Sequence, residues 1–311
     1  MPIAPAALPT STPPRFAFAR HETFHLRDGW LFKGLNALQT DESSLRATDA
    51  HHHLGLGKNM LGSLVYWMQA VNLIEPLKGR QAKGTSYQPT PLAGIISERD
   101  PYLEDIRTLW LLHMALCSNK ELATFWYWAF NESPQRGFTE DGLVRSVEAF
   151  VKESGGKPVA SSSLRKDARC FLRTYANAAD DGEEQLPFDS SECPLASLGL
   201  IRRSATPRTF RFRVGSHHGL TAALFAYCLF SFRDKTKPEE SVLSLDDVRW
   251  APFSPGRLLC LDTPAIIEFL EELQHRTSWA RMVRTADLNV ISLEPTIRTG
   301  DLLTECYGLE E

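Results

Sequence analysis

The sequence predicts a mainly α-helical protein of the α+β class, with two winged-helix-like units that carry small β-hairpin wings and with helical middle and C-terminal parts. Apolar residues recur at helical spacing through most of the 311-residue chain. Two pairs of such helices are each followed by polar, turn-forming residues and short strand patterns, which is the element order of a winged helix. We therefore expect a disordered tail (1–15), an N-terminal winged helix (16–99), a helical core pair (100–135), a second winged-helix-like unit (136–215) and a helical C-terminal domain (216–311).

Composition and charge are those of an ordinary globular protein, with 43% hydrophobic and 23% charged residues. The net charge of −4 does not indicate that the protein as a whole binds nucleic acid or a membrane surface. Any such binding must come from a local cluster of charged residues. The position of each basic residue therefore matters more than the total.

The N-terminus and the cysteines predict a cytoplasmic protein. The first 15 residues are interrupted by prolines and lack a basic segment, so they are expected to be disordered instead of forming a secretion signal. No apolar run approaches the length of a membrane span, and we expect no membrane contact. The six cysteines include no C-x-x-C pair, which is typical of free thiols in a reducing compartment.

In the N-terminal unit, residues 28–39 have helical periodicity with Asp28 as a candidate N-cap. Residues 41–76 contain two helical patterns separated by a glycine-bearing turn, which is a helix-turn-helix pattern. The second helix has polar residues at its N-terminal end, as groove-reading helices do: Lys58, Asn59 and Ser63. Residues 77–94 are polar and glycine-bearing, and they are expected to form a hairpin wing followed by a helix start.

The middle of the chain is rich in leucine and aromatic residues. Residues 100–118 and 120–133 carry them at helical periods, which predicts a buried pair of helices that forms the main core. Trp126, Tyr127 and Trp128 are accordingly expected to pack in this core instead of forming a platform on which nucleic-acid bases stack.

The second unit contains the main concentration of basic residues. Residues 138–155 and 161–176 are predicted helices that begin on Thr139 and on a serine cap. In the second helix, the face opposite the apolar one carries Arg165, Lys166, Arg169 and Arg173. Residues 210–214 then alternate as in a half-buried strand, with Phe210, Phe212 and Val214 opposite Arg211 and Arg213.

Across residues 161–176 and 202–213, nine basic residues stand against one acid, Asp167. This local excess predicts a surface that binds a polyanion. A solvated charged face is the alternative.

The C-terminal part is predicted to be helical over residues 219–234, 245–250 and 263–276. The turn at 254–257 reads S-P-G-R, and its amides and Arg257 are candidates for contact with a phosphate. An ordinary turn is the alternative for this segment.

A literal H-E-x-x-H occurs at His21 to His25, the pattern of zinc metalloproteases. That chemistry needs a helix through both histidines, whereas the preceding residues alternate like a strand and Asp28-Gly29 would end a helix at once. The metzincin extension is absent, and Glu42, at a tolerable spacing for a gluzincin, lies in a polar loop where no ligand helix is apparent. We therefore expect neither a zinc site nor a protease here, and the adjacent histidines at 51–53 point in different directions on a helix and do not chelate one ion.

The "DPYLED" segment is a second candidate site. Its carboxylates Asp100, Glu104 and Asp105 are of the type that holds a divalent cation. If a helix begins at Pro101, the alternative is that Asp100 is its N-cap and that the two other acids complement the helix dipole.

Seven segments resemble, in order, a prokaryotic SspB-like family long labelled as a domain of unknown function: "HETFHLRDGWLFKG", "LGLGKNMLGSLVYWMQAVNLIE", "DPYLEDIRTLWLLHMAL", "FWYWAFNE", "SSSLRKDARCFLRTY", "CPLASLGLI" and "SPGRLLCLD". The resemblance covers nearly the whole chain from Phe16 onward. Members are encoded beside PAPS-reductase-like sulfur-transfer enzymes in DNA phosphorothioation and phage-defence clusters. The family usually has proline where this sequence has His25, which also argues against zinc.

The resemblance implies a protein that acts on double-stranded DNA together with a sulfur-transfer enzyme and an ATPase. Two functions stay open: a DNA nickase that depends on Mg²⁺ or Mn²⁺, and a non-catalytic winged-helix module for DNA binding, recruitment or regulation. The matched polar residues add His21 and Glu22 to the catalytic candidates and Arg27 to the DNA-contacting ones. Arg20, which directly precedes the matched segment, is a further DNA-contacting candidate. No metal ligand is assigned, and a homodimer is one alternative for the oligomeric state.

Overall fold

The computed structural model describes residues 14–47, 49–77, 86–134, 137–176, 193–284 and 289–308. The predicted tail lies almost entirely outside these residues, as do residues 78–85 of the predicted first wing. The helices are α1 (Trp30–Thr40), α2 (Ala50–His53), α3 (Lys58–Ala70), α4 (Pro91–Arg99), α5 (Ile106–Ser118), α6 (Thr124–Asn131), α7 (Glu140–Glu153), α8 (Ser161–Tyr175), α9 (Ala222–Thr236), α10 (Leu245–Trp250), α11 (Pro255–Leu258), α12 (Thr263–Arg276) and α13 (Thr299–Glu305).

Within the described residues, the strands form three small antiparallel sheets, so the fold is mixed α/β with mainly helical content. They are β1 (Ile74–Pro76), β2 (Tyr87–Pro89), β3 (Gly137–Phe138), β4 (Ile201–Arg203), β5 (Phe210–Phe212), β6 (Val242–Ser244), β7 (Ala280–Arg284) and β8 (Asn289–Leu293). The sheet orders are β1-β2, β3-β5-β4 and β6-β8-β7.

In the N-terminal part, three helices precede the β1-β2 pair. The turn between α2 and α3 contains Gly55 in the left-handed region, as the sequence pattern requires. The first helix begins at Trp30 with Gly29 as its N-cap, so the prediction that Asp28 caps it was wrong. Ser63 is completely buried, contrary to the expectation that it is exposed on α3, because the apolar face of this helix is wide enough to include it.

The middle helices form the aromatic centre of the molecule, as predicted. Trp126, Tyr127 and Trp128 of α6 are all buried, and the Trp126 ring lies 5.3 Å from the Trp67 ring of α3. These aromatic residues therefore pack the middle helices against the N-terminal part, and they are not available for stacking with bases.

In the second unit, β3 precedes α7 and α8, and β4 and β5 follow them. The first strand pairs with the last, which gives the order β3-β5-β4. Thr139 caps α7, since its Oγ1 accepts a hydrogen bond from Gly142 N at 3.1 Å. The N-cap of α8 is Ala160, whose side chain makes no capping bond, so the predicted serine cap was wrong.

The C-terminal part contains the predicted helices, and α12 coincides with residues 263–276. It also contains the β6-β8-β7 sheet, whereas the sequence was expected to be helical throughout. Strand β7 pairs along its whole length with β8, from Ala280 opposite Leu293 to Arg284 opposite Asn289. Neither β7 (ARMVR) nor β8 (NVISL) alternates strictly between apolar and polar residues, so this hairpin was missed.

One segment ahead of α1 connects the units. Ala17 N donates a hydrogen bond to Thr124 Oγ1 of α6 at 2.8 Å, and Trp67 Nε1 of α3 donates to Phe24 O at 3.1 Å. Cys170 Sγ of α8 also donates to Phe24 O. Residues 17–24 therefore run between the first and second units and are held by both.

None of the described helices combines the length and the apolar character needed to cross a membrane. All six cysteines are free and buried, as the sequence predicted, and burial raises the pKa of the Cys193, Cys260 and Cys306 thiols to about 12. These thiols are consequently protonated and unreactive at neutral pH.

Candidate nucleic-acid interface

The residues of the H-E-x-x-H pattern form a strained turn. Ala19, Glu22 and Thr23 have φ values of 55°, 49° and 68°, in the left-handed region that favours glycine. Each such residue costs on the order of 1 kcal/mol or more, and a β-branched threonine is especially disfavoured there. The conformation persists only because the surrounding structure holds it in place.

Asp167 of α8 is the residue that holds this turn. Its carboxylate oxygens both accept from Ala19 N at 3.0 Å, and its Oδ1 lies 2.7 Å from His21 Nε2. Both side chains are almost completely buried, and burial raises the pKa of Asp167 while the hydrogen bond with His21 opposes that rise. His21 is therefore an internal anchor and does not reach the surface.

The helix that a zinc-protease motif requires does not form. Residues 21–23 are in a turn, residues 24–27 have no regular structure, and α1 begins only at Trp30. His25 is also buried, and the His21 Nε2 atom faces Asp167. The expectation that no helix passes through both histidines is confirmed.

The turn directs its other two polar side chains outward. Arg20 and Glu22 are exposed and line an open groove of about 920 Å³ between the turn, α3 and β2. The described residues lining this groove include two more charged side chains, Arg46 and Lys58. Three cations and one carboxylate therefore face a single concave surface, which we call the turn groove.

Arg20, Glu22 and Lys58 were candidates from the sequence, and the structure brings them together. Asn59 is exposed near the same end of α3 but does not line the turn groove. Arg27 lies half-buried over the rings of Phe24 and Trp30, at 5.4 and 5.7 Å from their centroids. Its guanidinium therefore packs against aromatic rings instead of extending from the surface.

The sequence did not reveal that Arg46 and Tyr87 belong to the turn groove. Arg46 follows a polar turn and Tyr87 lies in the short strand β2, so neither has a neighbouring pattern that indicates binding. Arg46 Nη1 donates to Ser86 Oγ at 2.9 Å, which holds the arginine beside β2. Only the tertiary structure places these residues opposite the turn.

The basic face of α8 is partly neutralised by the preceding helix. Arg165 Nη1 lies 2.6 Å from Asp141 Oδ1, and Arg169 Nε lies 3.0 Å from Glu140 Oε1. These acids complement the N-terminus of α7 and were left out of the local charge count because they lie outside the residues that were counted, 161–176 and 202–213. Because Arg165 and Arg169 are paired with these acids, the basic surface of α8 is smaller than predicted. Lys166 and Arg173 are exposed, as expected.

The charge count also treated Asp167 as an acid of the same surface, which was wrong because Asp167 is buried beneath the turn. Among the described residues, the β4-β5 hairpin carries a pair of exposed arginines on adjacent strands. Arg202 of β4 lies directly opposite Arg211 of β5, and both are exposed. Neither forms an ion pair with a carboxylate in the described part of the chain.

The opposite face of this hairpin is apolar. Phe210 and Phe212 are buried, and the Phe212 ring packs 5.4 Å from Phe130. The predicted alternation is thus confirmed for residues 210–212. Val214 is exposed, and Arg213 turns back, with Nη2 donating to Ser216 O at 3.4 Å, so the pattern does not extend to these positions.

The S-P-G-R segment is structural. Ser254 is the N-cap of the short helix α11, and its Oγ accepts from Arg257 N at 3.3 Å. The Arg257 side chain donates to Ser133 O at 2.9 Å and to Trp250 O at 3.2 Å, and burial lowers its pKa. Its guanidinium clamps two loops together, so the predicted contact with phosphate does not fit this position.

The "DPYLED" acids also stabilise a loop. The Asp100 carboxylate accepts from the backbone amides of Glu104 and Asp105, each at 3.0 Å. Asp105, and not Asp100, is the N-cap of α5, and it pairs with Arg107 at 2.8 Å. The helix begins at Ile106 and not at Pro101, because this Asp100 loop occupies residues 100–105. Glu104 is exposed.

These carboxylates do not converge. Among the described residues, no group of three or more histidine, cysteine, aspartate or glutamate side chains is arranged to hold a metal ion. Glu22 in the turn groove is an exposed carboxylate that lies among cations and not among further acids. The described side chains therefore do not fit a metal site built by the protein alone.

Comparison with known proteins agrees with the fold. Two solved structures of a protein named SspB match it: one, with bound magnesium ion, at 30% identity and a TM-score of 0.84, the other at 29% and 0.82. Each match covers 94% of this chain and 88% of the other. No curated protein matched the sequence. The model of a family described as "Protein of unknown function (DUF4007)" matches residues 18–307, and the chain belongs to this SspB-like family.

Proposed function

We propose that this protein is the DNA-binding component of a DNA phosphorothioation system that defends against phages. The observation that carries the proposal is the exposed pair Arg202 and Arg211 on the β4-β5 hairpin. Like charges directly opposite each other destabilise a strand pair, so a fold gains nothing from this arrangement by itself. Two guanidinium groups side by side suit the phosphates of a DNA backbone.

The arrangement of the second unit supports this proposal. A strand, two helices and a hairpin follow one another, and the first strand pairs with the last strand of the hairpin. We assign this order to a winged helix, in which α8 is the recognition helix and the β4-β5 hairpin is the wing. The exposed Lys166 and Arg173 of α8 add positive charge to the same unit. We assign the N-terminal helices and the β1-β2 pair to a first winged helix on the same grounds.

Membership of the SspB-like family supports the proposed role in DNA phosphorothioation. The likeness to SspB extends over nearly the whole chain, so the shared fold is not confined to one common module. A protein in this role would meet double-stranded DNA together with a sulfur-transfer enzyme and an ATPase, as the family resemblance implies.

The test of DNA binding is charge reversal on the hairpin. We expect Arg202→Glu with Arg211→Glu to weaken binding of a duplex at moderate salt by about tenfold or more, and to reduce the dependence of affinity on salt. The matched control is Arg281→Glu with Arg298→Glu, which changes the net charge equally at exposed arginines of the C-terminal part. Equal affinity of the two double variants would refute the proposed surface.

Nicking of DNA is the second candidate function, and Glu22 favours it. This carboxylate is held on a strained turn and faces a groove lined by cations, where a phosphate group would be attracted. Proteins commonly bind Mg²⁺ through one or two carboxylates together with substrate phosphates, so Glu22 fits as the protein ligand in a DNA complex. A bound Mg²⁺ or Mn²⁺ would supply charge stabilisation at the phosphodiester.

A supercoiled-plasmid assay separates nicking from binding. We expect purified protein with Mg²⁺ or Mn²⁺ to produce open-circular DNA and Glu22→Gln to lose this activity. Glu98→Gln, an exposed carboxylate on α4, is the control and should remain active. Absence of open-circular product from wild-type protein that binds the plasmid would exclude the nickase and leave the non-catalytic DNA-binding role.

A further inference from the structure

The turn groove has the wrong shape for the outer surface of a DNA duplex. It is concave, with a volume of about 920 Å³, which is within the range of small-molecule pockets. The hairpin and the exposed face of α8, by contrast, are elements of the kind that contact a duplex groove. The turn groove is therefore suited to a smaller or thinner ligand than a duplex.

The charged side chains of the turn groove define one part of that ligand. Among the described residues that line the groove, Arg20, Arg46 and Lys58 stand against one carboxylate, that of Glu22. Arg46 is oriented by Ser86, and Arg20 lies close enough to Tyr66 to affect its pKa. An arginine-rich concave surface that holds positive charge in excess recognises phosphate.

The uncharged side chains define the other part. Tyr87 is half-buried in the wall of the groove, and Gln69, whose Nε2 donates to Val65 O at 3.2 Å, is another lining residue. Aromatic rings next to a basic groove are the usual platform for unstacked bases, and an amide group can bond the edge of a base. Phosphate-binding and base-binding groups thus lie in one groove.

Gly62 keeps the groove open. It is an exposed glycine within α3, where glycine is a poor helix former, and a Cβ at this position would lie 3.9 Å from Glu22 Cγ. Any longer side chain would project into the space between α3 and the turn. Gly94 in α4 is similarly exposed but has no atom within 4 Å of such a Cβ.

We infer that the turn groove binds an unpaired nucleotide of a DNA strand, with its phosphate on Arg20, Arg46 and Lys58 and its base against Tyr87 and Gln69. This inference rests on the proposed DNA-binding function and adds a second, single-stranded subsite to it. The duplex lies on the hairpin and α8, and a nucleotide removed from base pairing enters the turn groove. The strained turn holds Arg20 and Glu22 ready at the mouth of the groove.

Filling the turn groove tests the inference. The probe is a short fluorescein-labelled oligothymidylate, whose affinity is measured by fluorescence anisotropy. Gly62→Leu should weaken its binding by about tenfold or more, since base stacking and phosphate contact are both blocked. Gly94→Leu is the matched control and should bind like wild type. Circular dichroism and thermal unfolding of both variants establish that α3 and α4 are intact.

A second pair of variants keeps the test decisive if Gly62→Leu does not fold. Lys58→Glu should weaken oligothymidylate binding by about tenfold or more, whereas Lys33→Glu, an exposed lysine of α1, should not. Wild-type affinity of both Gly62→Leu and Lys58→Glu for oligothymidylate would overturn the inference.

Comparing duplex binding with oligothymidylate binding distinguishes failure of this inference from failure of the proposed DNA-binding function. The Arg202→Glu, Arg211→Glu double variant should lose duplex affinity while it keeps oligothymidylate affinity. If duplex binding depends on the hairpin but oligothymidylate binding is insensitive to every change in the turn groove, the inference is refuted and the proposed function stands. If neither nucleic acid binds wild-type protein, both are refuted.

Discussion

His21 and Asp167 show how a residue's environment decides its role. The chain contains a second pair of the same kind, His53 and Asp49, whose Nε2 and Oδ2 atoms are 2.9 Å apart on a helix surface. That pair is exposed, with 75% and 61% of the two side chains accessible, whereas the accessible fractions of His21 and Asp167 are 0% and 2%. Water competes with the exposed pair, but no water reaches the buried one.

The two pairs form a matched double-mutant-cycle experiment. We expect His21→Ala and Asp167→Ala to be coupled by at least about 2 kcal/mol in the free energy of unfolding, because removing either partner leaves the other buried without its counterpart. His53→Ala and Asp49→Ala should show no measurable coupling. Urea unfolding of the six variants measures both cycles, and additive effects at 21 and 167 would contradict the anchoring role of this pair.

The sequence identified many surface residues correctly and misplaced those whose partners are distant along the chain. Arg20, Glu22 and Lys58 are exposed, as expected, since no apolar pattern includes them. Asp167 was counted as a surface acid because helical periodicity cannot show that a turn almost 150 positions earlier packs over it. Such pairings depend on tertiary structure, which local patterns do not contain.

At the scale of elements, stability and the proposed DNA binding oppose each other in the β4-β5 hairpin. Its buried face packs two phenylalanines, while its exposed face places Arg202 opposite Arg211. Repulsion between these guanidinium groups weakens the strand pair and at the same time raises the local positive potential.

We therefore expect Arg202→Glu to stabilise the fold and to weaken DNA binding. The new cross-strand ion pair with Arg211 should raise the free energy of unfolding by a few tenths of a kcal/mol and at most about 1 kcal/mol. Arg281→Glu on β7 is opposite Ser292 instead of an arginine, and it should leave stability unchanged. Thermal unfolding and duplex binding of both variants test this, and a loss of stability in Arg202→Glu would contradict it.

Helices were predicted better than strands, for a physical reason. A helix of about 14 residues such as α12 repeats its apolar spacing four times, so the pattern is distinct from chance. Strands β7 and β8 have five residues each and derive their stability from pairing with each other and with β6. The predicted starts of α1 and α5 were too early. Gly29 caps α1 instead of Asp28, and Asp105 caps α5 instead of Asp100, so these helices begin at Trp30 and Ile106.

At the scale of the whole molecule, His113 joins three parts of the core. Its Nε2 donates to Leu258 O at 2.7 Å, and its Nδ1 accepts from Tyr175 Oη at 2.7 Å, so the neutral ring connects α5, α8 and α11. Burial lowers the pKa of His113 to about 4, and burial has the same effect on His217, which the nearby Arg213 and Arg202 reinforce. Both rings are neutral in the folded protein at neutral pH.

This burial makes stability depend on pH in a defined direction. Between about pH 4 and the ordinary histidine pKa of 6.5, the unfolded chain binds more protons at these residues than the folded protein does. The free energy of unfolding should therefore fall as pH falls through this window, by on the order of 1 kcal/mol per pH unit for each histidine.

Urea unfolding at several pH values measures this dependence. His113→Gln should be less stable at neutral pH but should show a shallower decline between pH 6.5 and about 4. His53→Gln, at an exposed position, should decline like wild type. An unchanged slope in His113→Gln would contradict the neutral, buried state of this ring.

The position of Asp167 on α8 has a consequence for how the two proposed DNA-binding surfaces communicate. Lys166 faces solvent, and its immediate neighbour Asp167 holds the turn that presents Arg20 and Glu22. A ligand that displaces α8 must therefore alter the turn. Thermodynamic linkage requires reciprocity: if a duplex on α8 changes the affinity of the turn groove by some factor, a strand in that groove changes the affinity for the duplex by the same factor.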